Sequence, residues 1–558
     1  MSGDRDVLVF GLDGVTFDLI GDWIDQGELP YFEKLIQEGV QGDLTSTLPP
    51  VTGPAWSSFQ TGLRPGKHGV FDWGNAGEEA PGKGIVDSTH IQSDTLWELL
   101  SQGGKEVGVI GLPVTYPPRE VNGFILTGLL TPQNAEDYVY PQGLEDEIQE
   151  VVDNYVTAPL HAEMAVNKQA WVEQLENSIE NREKVSTHLL SQESWDVSMV
   201  YFMETDTVMH HLYHTVRDDG KGPSDDKFDE NPVLRIHKRV EQAVKRIVDA
   251  VAEPDTDVIL VSDHGFGQLD WIFNVNTWLM EQGYLSLKND PSTRLKRTAL
   301  NLGLNQKNLY YLGDLLGPLG KSKKWDMQGF EDILGKIFLS MDDVDWRNTK
   351  AFSRGGVLGE IGLNVKGQGP PGGINPEGIE KLKEELTSDL KNVRNPSTGK
   401  PVVEEVIDSE EAYDGPQADI GPDLLFKTKD MRTDTGGLTV FKSAKPIIES
   451  FATTGTHRMN GIFMASGPEF QEERSVEGLH ITDVAPTILH LADLPIPEYM
   501  DGTVEEEILA PSFKAGNPLR YRDLNLPDGN GNKEDPEAKS DKENEEIKER
   551  LKGLGYLD

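Results

Sequence analysis

The chain has 558 residues and no cysteine, is 37% hydrophobic and 8% aromatic, and sets 52 Lys and Arg against 95 Asp and Glu, a formal net charge of −43. That apolar content supports a folded core, the length predicts roughly two to four domain-sized units, and the absence of cysteine excludes disulfide frameworks, cysteine-ligated zinc, iron–sulfur clusters and thiol nucleophiles. The charge opposes binding to a nucleic-acid backbone or an anionic membrane surface. Carboxylates spread along the whole chain suit a protein solvated in concentrated salt, as in an extreme halophile.

At the N-terminus MSGDRDVLVFGLDG enters a short apolar run with no basic leader region, long apolar stretch or small-residue cleavage site. No segment offers the roughly 18 uninterrupted apolar residues of a membrane span, so a soluble cytoplasmic protein is expected. Next comes TLPPVTGPAWSSFQTGLRPGKHG, where Pro49, Pro50, Gly53 and Pro54 force a turn and AWSSFQTG reads as a short helix. Further on, VSMVYFMETD and VILVSDHG repeat the design of VLVFGLDG: consecutive β-branched and aliphatic residues ending in aspartate, as in strands buried on both faces. The amphipathic stretch from Val233 to Val251 leads into the last of these runs. Strand and helix alternate, which predicts an α/β fold with a mostly parallel sheet sandwiched by helices.

From residue 288 the charge reverses locally. Lys288, Arg294, Lys296, Arg297, Lys307, Lys321, Lys323 and Lys324 face only Asp290 and Asp314, around NLYYLGDLLGPLG. Residues 288–345 are expected to form a basic helical insertion or lid, and 346–441 a smaller α+β subdomain around GIEKLKEELTSDLKNV. The core comprises 1–287 and returns over 442–527. Residues 528–558 read as an acidic disordered linker to about 549, followed by the tail motif ERLKGLGYLD.

Ligands of open α/β sheets bind outside the carboxyl ends of the strands, where Asp13, Asp206 and the pair Asp263 and His264 fall. Clustered carboxylates need cations or protons, and added imidazoles point to metal. Asp206 and His210, spaced i,i+4, share one face of a helical turn. Asp263 and His264 point apart, and His457 in GTHRMNG is a further ligand candidate in a glycine-rich turn. Nitrogen and oxygen donors without sulfur suit Zn²⁺, with Mn²⁺ or Fe²⁺ as alternatives. Thr52 lies at a helix start, where amides and the helix dipole favour a phosphate or sulfate group. Its hydroxyl, bound to a metal, can act as nucleophile. Singly, these residues have plainer readings as turn or cap residues. His68, His211 and His214 are read as structural.

GLDG, PPVTGPAW with TGLRPGKHG, TDTVMH, SDHG and THR, in this order, resemble the alkaline phosphatase superfamily, in particular its type I phosphodiesterase and nucleotide pyrophosphatase branch. The segment ITDVAPTILHLADLPIPEYMDG resembles the C-terminal core of sulfatases and related phosphohydrolases. The resemblance covers roughly residues 5–290 and 345–505. It implies an alkaline-phosphatase-like fold and a phosphohydrolase, with phosphodiesters favoured, acting on small anionic phosphate esters. It also implies two divalent metal ions, one held by Asp13, Thr52, Asp263 and His264 and the other by Asp206, His210 and His457, with Thr52 attacking phosphorus through a phospho-threonine. Ala55 stands where the eukaryotic-type enzymes have an asparagine that holds a phosphate oxygen, which leaves that contact to the Gly53 amide or an insertion lysine. A monoesterase would want a fixed cation, for which Arg64, Arg354 and Arg458 are candidates. Rival readings are a sulfatase, opposed by the threonine and the missing cysteine, a phosphotransferase or mutase, whose relatives use serine, and a non-catalytic metal-binding protein. The oligomeric state is not legible.

Overall fold

The structure, a computed structural model, describes residues 6–74, 85–132, 135–153, 167–217, 228–305, 338–436, 441–451, 453–524 and 541–554, with 155, 308 and 526. In chain order its first strands are β1 (Val7–Leu12), β2 (Gly39–Thr45), β3 (Val107–Ile110), β4 (Gly123–Leu126), β5 (Val139–Tyr140), β6 (Val197–Phe202), β7 (Asp257–Val261), β8 (Gly265–Gln268) and β9 (Trp271–Phe273). The remainder supplies β10 (Ala351–Gly355), β11 (Gly359–Leu363), β12 (Val403–Asp408), β13 (Leu424–Thr428), β14 (Thr433–Asp434), β15 (Ile447–Glu449), β16 (Gly455–Arg458), β17 (Asn460–Ser466) and β18 (Arg474–His480).

Nine strands form the central sheet in the order β18-β2-β17-β7-β1-β6-β3-β4-β5. Its middle is parallel, with β1 between β6 and β7, whereas β17 runs antiparallel to both neighbours. Every residue of β1, β6 and β7 is buried, as the unbroken apolar runs require of strands covered on both faces. Alternation divides β1 between two cores: Val7 and Val9 join Trp56, Phe59 and Trp97, while Leu8, Phe10 and Leu12 join the helices on the other face.

The helix Pro232–Val251 shows how that second face is covered. Asn231 caps it by accepting from the amides of Val233 and Leu234, Pro232 opens the first turn, and Val233, Ile236, Val240, Val244 and Ile247 are buried. Burying each such side chain contributes about 1.5–3 kcal/mol. It packs beside the helix Lys168–Leu190.

A second, antiparallel sheet, β10-β11-β13-β12, lies beside the helix Ile379–Lys391, with Ile361, Leu363, Leu386, Leu390 and Phe426 in its core. The opposite side packs Leu425, Leu358 and Tyr413 on Phe71 and Leu48 of the main body. In the basic segment, Pro291–Asn301 is a helix capped by Asp290, and Lys296 pairs with Asp343 at 3.0 Å, so the local excess of positive charge is partly met by the turn that follows. Lys307, Lys321, Lys323 and Lys324, and with them most of the expected lid, lie outside the described residues.

Two local expectations differ from the structure. His457 sits not in a turn but on β16, paired with Phe266 of β8, because the long-range partner strand organises a segment whose glycines suggest a turn. Residues 541–549, read as disordered, begin the helix Asp541–Leu554. Ile547 and Leu551, spaced i,i+4, are fully buried in the main core, and Arg550 donates to the Thr131 carbonyl at 2.8 Å. Two apolar residues are a weak compositional signal, and only the receiving surface makes them a docking face.

Candidate metal centre

The carboxyl edge of the central sheet assembles the predicted residues. Asp13 follows β1, Asp206 and His210 lie on the helix Glu204–Leu212 after β6, and Asp263 and His264 follow β7. Thr52 is the first residue of the helix Thr52–Phe59. All of them, with His457, are buried.

Two glycines make the close approach feasible. Gly11 in β1 leaves room for Trp56, whose ring would lie 2.7 Å from any Cβ there. Trp56 in turn packs edge-on against Tyr201 at 5.3 Å and seats the helix that begins with Thr52. Gly14, at φ +69, turns the chain where a Cβ would lie 3.1 Å from Asp206 Oδ1.

Donor atoms converge in two adjoining groups, Asp206, His210 and His457, and Asp13, Asp206 and His264, with the ligand atoms of each group within 4.8 Å of one another. His264 Nε2 lies 3.4 Å from Asp13 Oδ1, 3.3 Å from Asp263 Oδ2 and 3.2 Å from Thr52 Oγ1. Asp206 reaches His210 Nε2 and His457 Nε2, each at 3.4 Å.

Hydrogen bonds on the far side fix the imidazoles. His457 Nδ1 donates to the Pro50 carbonyl at 2.9 Å, His264 Nδ1 to the Gly265 carbonyl at 3.1 Å, and His210 bonds the Gly455 carbonyl. This tautomer, assigned from its partners, turns all three Nε2 lone pairs inward. His210 Nε2 and His457 Nε2 face each other at 3.1 Å. Two lone pairs at that separation repel unless a proton or a metal ion stands between them. Both oxygens of Asp206 and Oδ2 of Asp263 are buried and accept no hydrogen bond, which is the state of carboxylates shaped to hold a cation.

The electrostatics agree. Burial, followed by the charges of Asp263 and Asp206, pushes Asp13 well above the usual carboxylate range. Burial and Asp206 push Asp263 up to about 7. Burial lowers His264 well below its ordinary value and His210 to about 3. Asp206 moves the other way: burial opposes its charge, but His210, His457 and His264 hold it low. Protein groups alone leave Asp13 and Asp263 short of positive charge and the imidazoles of His210 and His264 neutral, and a divalent ion suits both.

Around this group are residues the sequence did not single out. Tyr201 donates to Asp13 Oδ2, Thr205 Oγ1 donates to the Asp13 carbonyl at 2.6 Å, and the Gly14 amide donates to Asp263 Oδ1 at 3.3 Å. Within the apolar run VSMVYF nothing marks Tyr201 as polar in role, and only the pairing of β6 with β1 brings it to Asp13. His68 lies apart, bonding Ser58 Oγ at 2.9 Å and the Val70 amide, and His211 packs edge-on against Trp171 at 5.6 Å. The Arg458 guanidinium donates to the carbonyls of Met431, Thr456, His457 and Gln268.

Residues 7–322 match the type I phosphodiesterase / nucleotide pyrophosphatase family, and the chain belongs to that family. It is accordingly a metal-dependent hydrolase of phosphoric esters. Among solved structures it resembles phosphonoacetate hydrolase from Sinorhizobium meliloti 1021 (TM-score 0.50, 13% identity, 88% of this chain and 96% of that one). It also resembles human ectonucleotide pyrophosphatase / phosphodiesterase 5 (TM-score 0.46, 15% identity, 90% and 100%). At 13% identity the likeness to the phosphonoacetate hydrolase speaks for the fold alone. No curated protein matches the chain. Among the described residues no helix is long and apolar enough to cross a membrane.

Proposed function

We propose that the chain hydrolyses phosphodiesters by attack of Thr52 Oγ1 on phosphorus, with Asp13, Thr52, Asp263 and His264 holding one divalent ion and Asp206, His210 and His457 a second. The observation that carries this is the convergence of inward Nε2 lone pairs and buried, unbonded carboxylate oxygens in two adjoining groups, with the Thr52 hydroxyl 3.2 Å from His264 Nε2. A sulfur-free donor set favours Zn²⁺, with Mn²⁺ or Fe²⁺ as alternatives. When bound, the ions supply Lewis-acid charge that lowers the hydroxyl pKa and stabilises the attacking and leaving oxygens.

The chain's own residues do the rest. The helix Thr52–Phe59 presents Oγ1 from its first position, where the amides of Thr52 and Gly53 have no acceptor within the helix and can donate to a phosphoryl oxygen. Deprotonated Thr52 forms the new P–O bond while the bond to one ester oxygen breaks, and the departing alkoxide takes a proton from water. Water then attacks the phospho-threonine, the bond to Oγ1 breaks, Thr52 recovers a proton, and a phosphomonoester leaves. Two in-line displacements give retention at phosphorus. Diesters are favoured because the guanidinium of Arg458, beside His457, is directed at backbone carbonyls rather than at a second phosphate charge.

The test is hydrolysis of bis(4-nitrophenyl) phosphate against 4-nitrophenyl phosphate, in high salt with Zn²⁺ or Mn²⁺. Diester turnover should exceed monoester turnover and fall by about 10³-fold or more in Thr52→Ala, with Thr52→Ser retaining part of it. Turnover in Thr52→Ala close to that of the parent removes the nucleophile.

A further inference from the structure

Behind the proposed centre lies a buried ion pair that the hydrolysis itself does not use. Arg182, 1% exposed, is the most deeply buried of the described lysines and arginines, and Glu204 is fully buried. The two approach to 3.8 Å. Ser178, one turn before Arg182 on the helix Lys168–Leu190, donates to Glu204 Oε1 at 2.7 Å. Arg182 Nη1 donates to the Tyr155 hydroxyl at 3.4 Å, and Gly111, at φ +78, makes room for the guanidinium where any Cβ would collide with Nη1.

Stability does not account for this pair. Taking two charges out of water is costly, and apolar side chains of similar volume often serve as well or better. Here the contact is long, and Arg182 Nε and Glu204 Oε2 are buried with no hydrogen-bond partner. What a directional group of this kind does specify is geometry.

The geometry in question is that of the helix Glu204–Leu212, which carries two of the metal-ligand candidates. Its first three residues are held by three different partners. Glu204 is held by Ser178 and Arg182, Thr205 by the Asp13 carbonyl at 2.6 Å, and Asp206 lies beside His210 and His457 at 3.4 Å from each. At about 100° per residue, Asp206 lies about 200° and His210 about 240° around the axis from Glu204. The pair therefore holds the back of the helix while the ligand candidates project from its front. Side-chain atoms about 6 Å from a helix axis move about 1 Å when the helix turns by about 10°. Metal sites tolerate departures of only about 0.2 Å in ligand distance, so a small rotation is enough to unmake one.

We infer that Arg182, Glu204 and Ser178 are positioning residues for the second metal site, locking the rotation of the helix Glu204–Leu212 so that Asp206 and His210 meet His457. The inference rests on the reading of Asp206, His210 and His457 as a metal site. The first site, proposed at Asp13, Thr52, Asp263 and His264, draws no ligand from this helix, so the effect is selective for the second ion.

The test measures stepwise Zn²⁺ affinities of the full-length protein by competition with a chromogenic chelator in high salt, with thermal midpoints alongside. The parent should take up two ions and His210→Ala one. Glu204→Gln strands the Arg182 charge and should lower both the midpoint and the second affinity. The double variant Arg182→Met with Glu204→Leu removes both charges, so the net charge beside the ions is unchanged and the midpoint should return towards that of the parent. Its second ion should still bind about 10- to 100-fold more weakly, with the first held as in the parent. Ser178→Ala, which deletes a single hydrogen bond, should weaken the second ion about threefold and serves if the double variant does not fold. A second ion held as tightly as in the parent, or two ions weakened alike, overturns the inference. A parent that takes up no second ion sinks the metal reading and the inference with it, an outcome seen without any variant.

Discussion

Tyr201 is the residue on which the geometry of the proposed centre leans most without itself being a ligand candidate. Its hydroxyl donates to Asp13 Oδ2 and its ring packs against Trp56, so one side chain links the carboxylate after β1 to the helix that carries Thr52. Tyr201→Phe keeps the packing and removes the donor. Metal affinity, read by competition with a chelator, should fall by about 10- to 100-fold, while the thermal midpoint of the chelated protein changes little. Unchanged affinity would make the contact incidental. A different histidine reports on pH. His237 is buried against Trp23, donates from Nδ1 to the Val233 carbonyl at 2.8 Å, and is lowered by burial to about 4. Below pH 6.5 the unfolded chain binds this proton and the folded chain does not, so stability rises with pH across the window from 4 to 6.5 and is lost as the medium acidifies. The contribution at the acid end is up to about 3 kcal/mol. In His237→Phe the unfolding free energy should depend less steeply on pH in that window than in the parent, and an equal slope in the two proteins refutes the assignment.

Elements distant in sequence close the structure at its edges. The helix Asp541–Leu554 reaches the main core through Ile547 and Leu551, and Asn544 Oδ1 accepts from the Ile85 amide at 3.4 Å. Replacing Ile547 by Ser removes a fully buried side chain and puts a hydroxyl in its place, which should cost about 2–4 kcal/mol if the helix stays docked. Denaturant unfolding measures the cost. A change below about 0.5 kcal/mol would mean the helix contributes little to global stability. At the other edge, β16 exists only because β8 pairs with it, and that pairing carries His457 beside Asp206, with its Nε2 3.1 Å from His210 Nε2.

At the scale of the molecule, a net charge of −43 sets the solution behaviour. Salt bridges such as Lys184 with Glu180 at 2.6 Å cover part of the surface, but carboxylates outnumber cations 95 to 52 and self-repulsion acts on the compact state. Raising KCl from about 0.1 M to 1 M shortens the Debye length from about 10 Å to 3 Å. The thermal midpoint should rise by several degrees over that range, and a flat or falling midpoint would remove the halophilic reading.

The sequence alone determined what depends on local pattern. Doubly buried strands require unbroken apolar runs, so VLVFGLDG, VSMVYFMETD and VILVSDHG revealed the central sheet, and the aspartates at their ends marked its carboxyl edge. Because Asp206 and His210 are four residues apart on one helix, their shared face was legible without a partner. Tertiary structure decided whatever depends on which strands pair. The placing of Tyr201 against Asp13, the strand rather than turn at His457, and the docking of Ile547 and Leu551 join segments separated by scores of residues. Periodicity encodes which face of an element is apolar, but the partner that covers that face is chosen by the free energy of the whole packed chain, and no short stretch of sequence contains it.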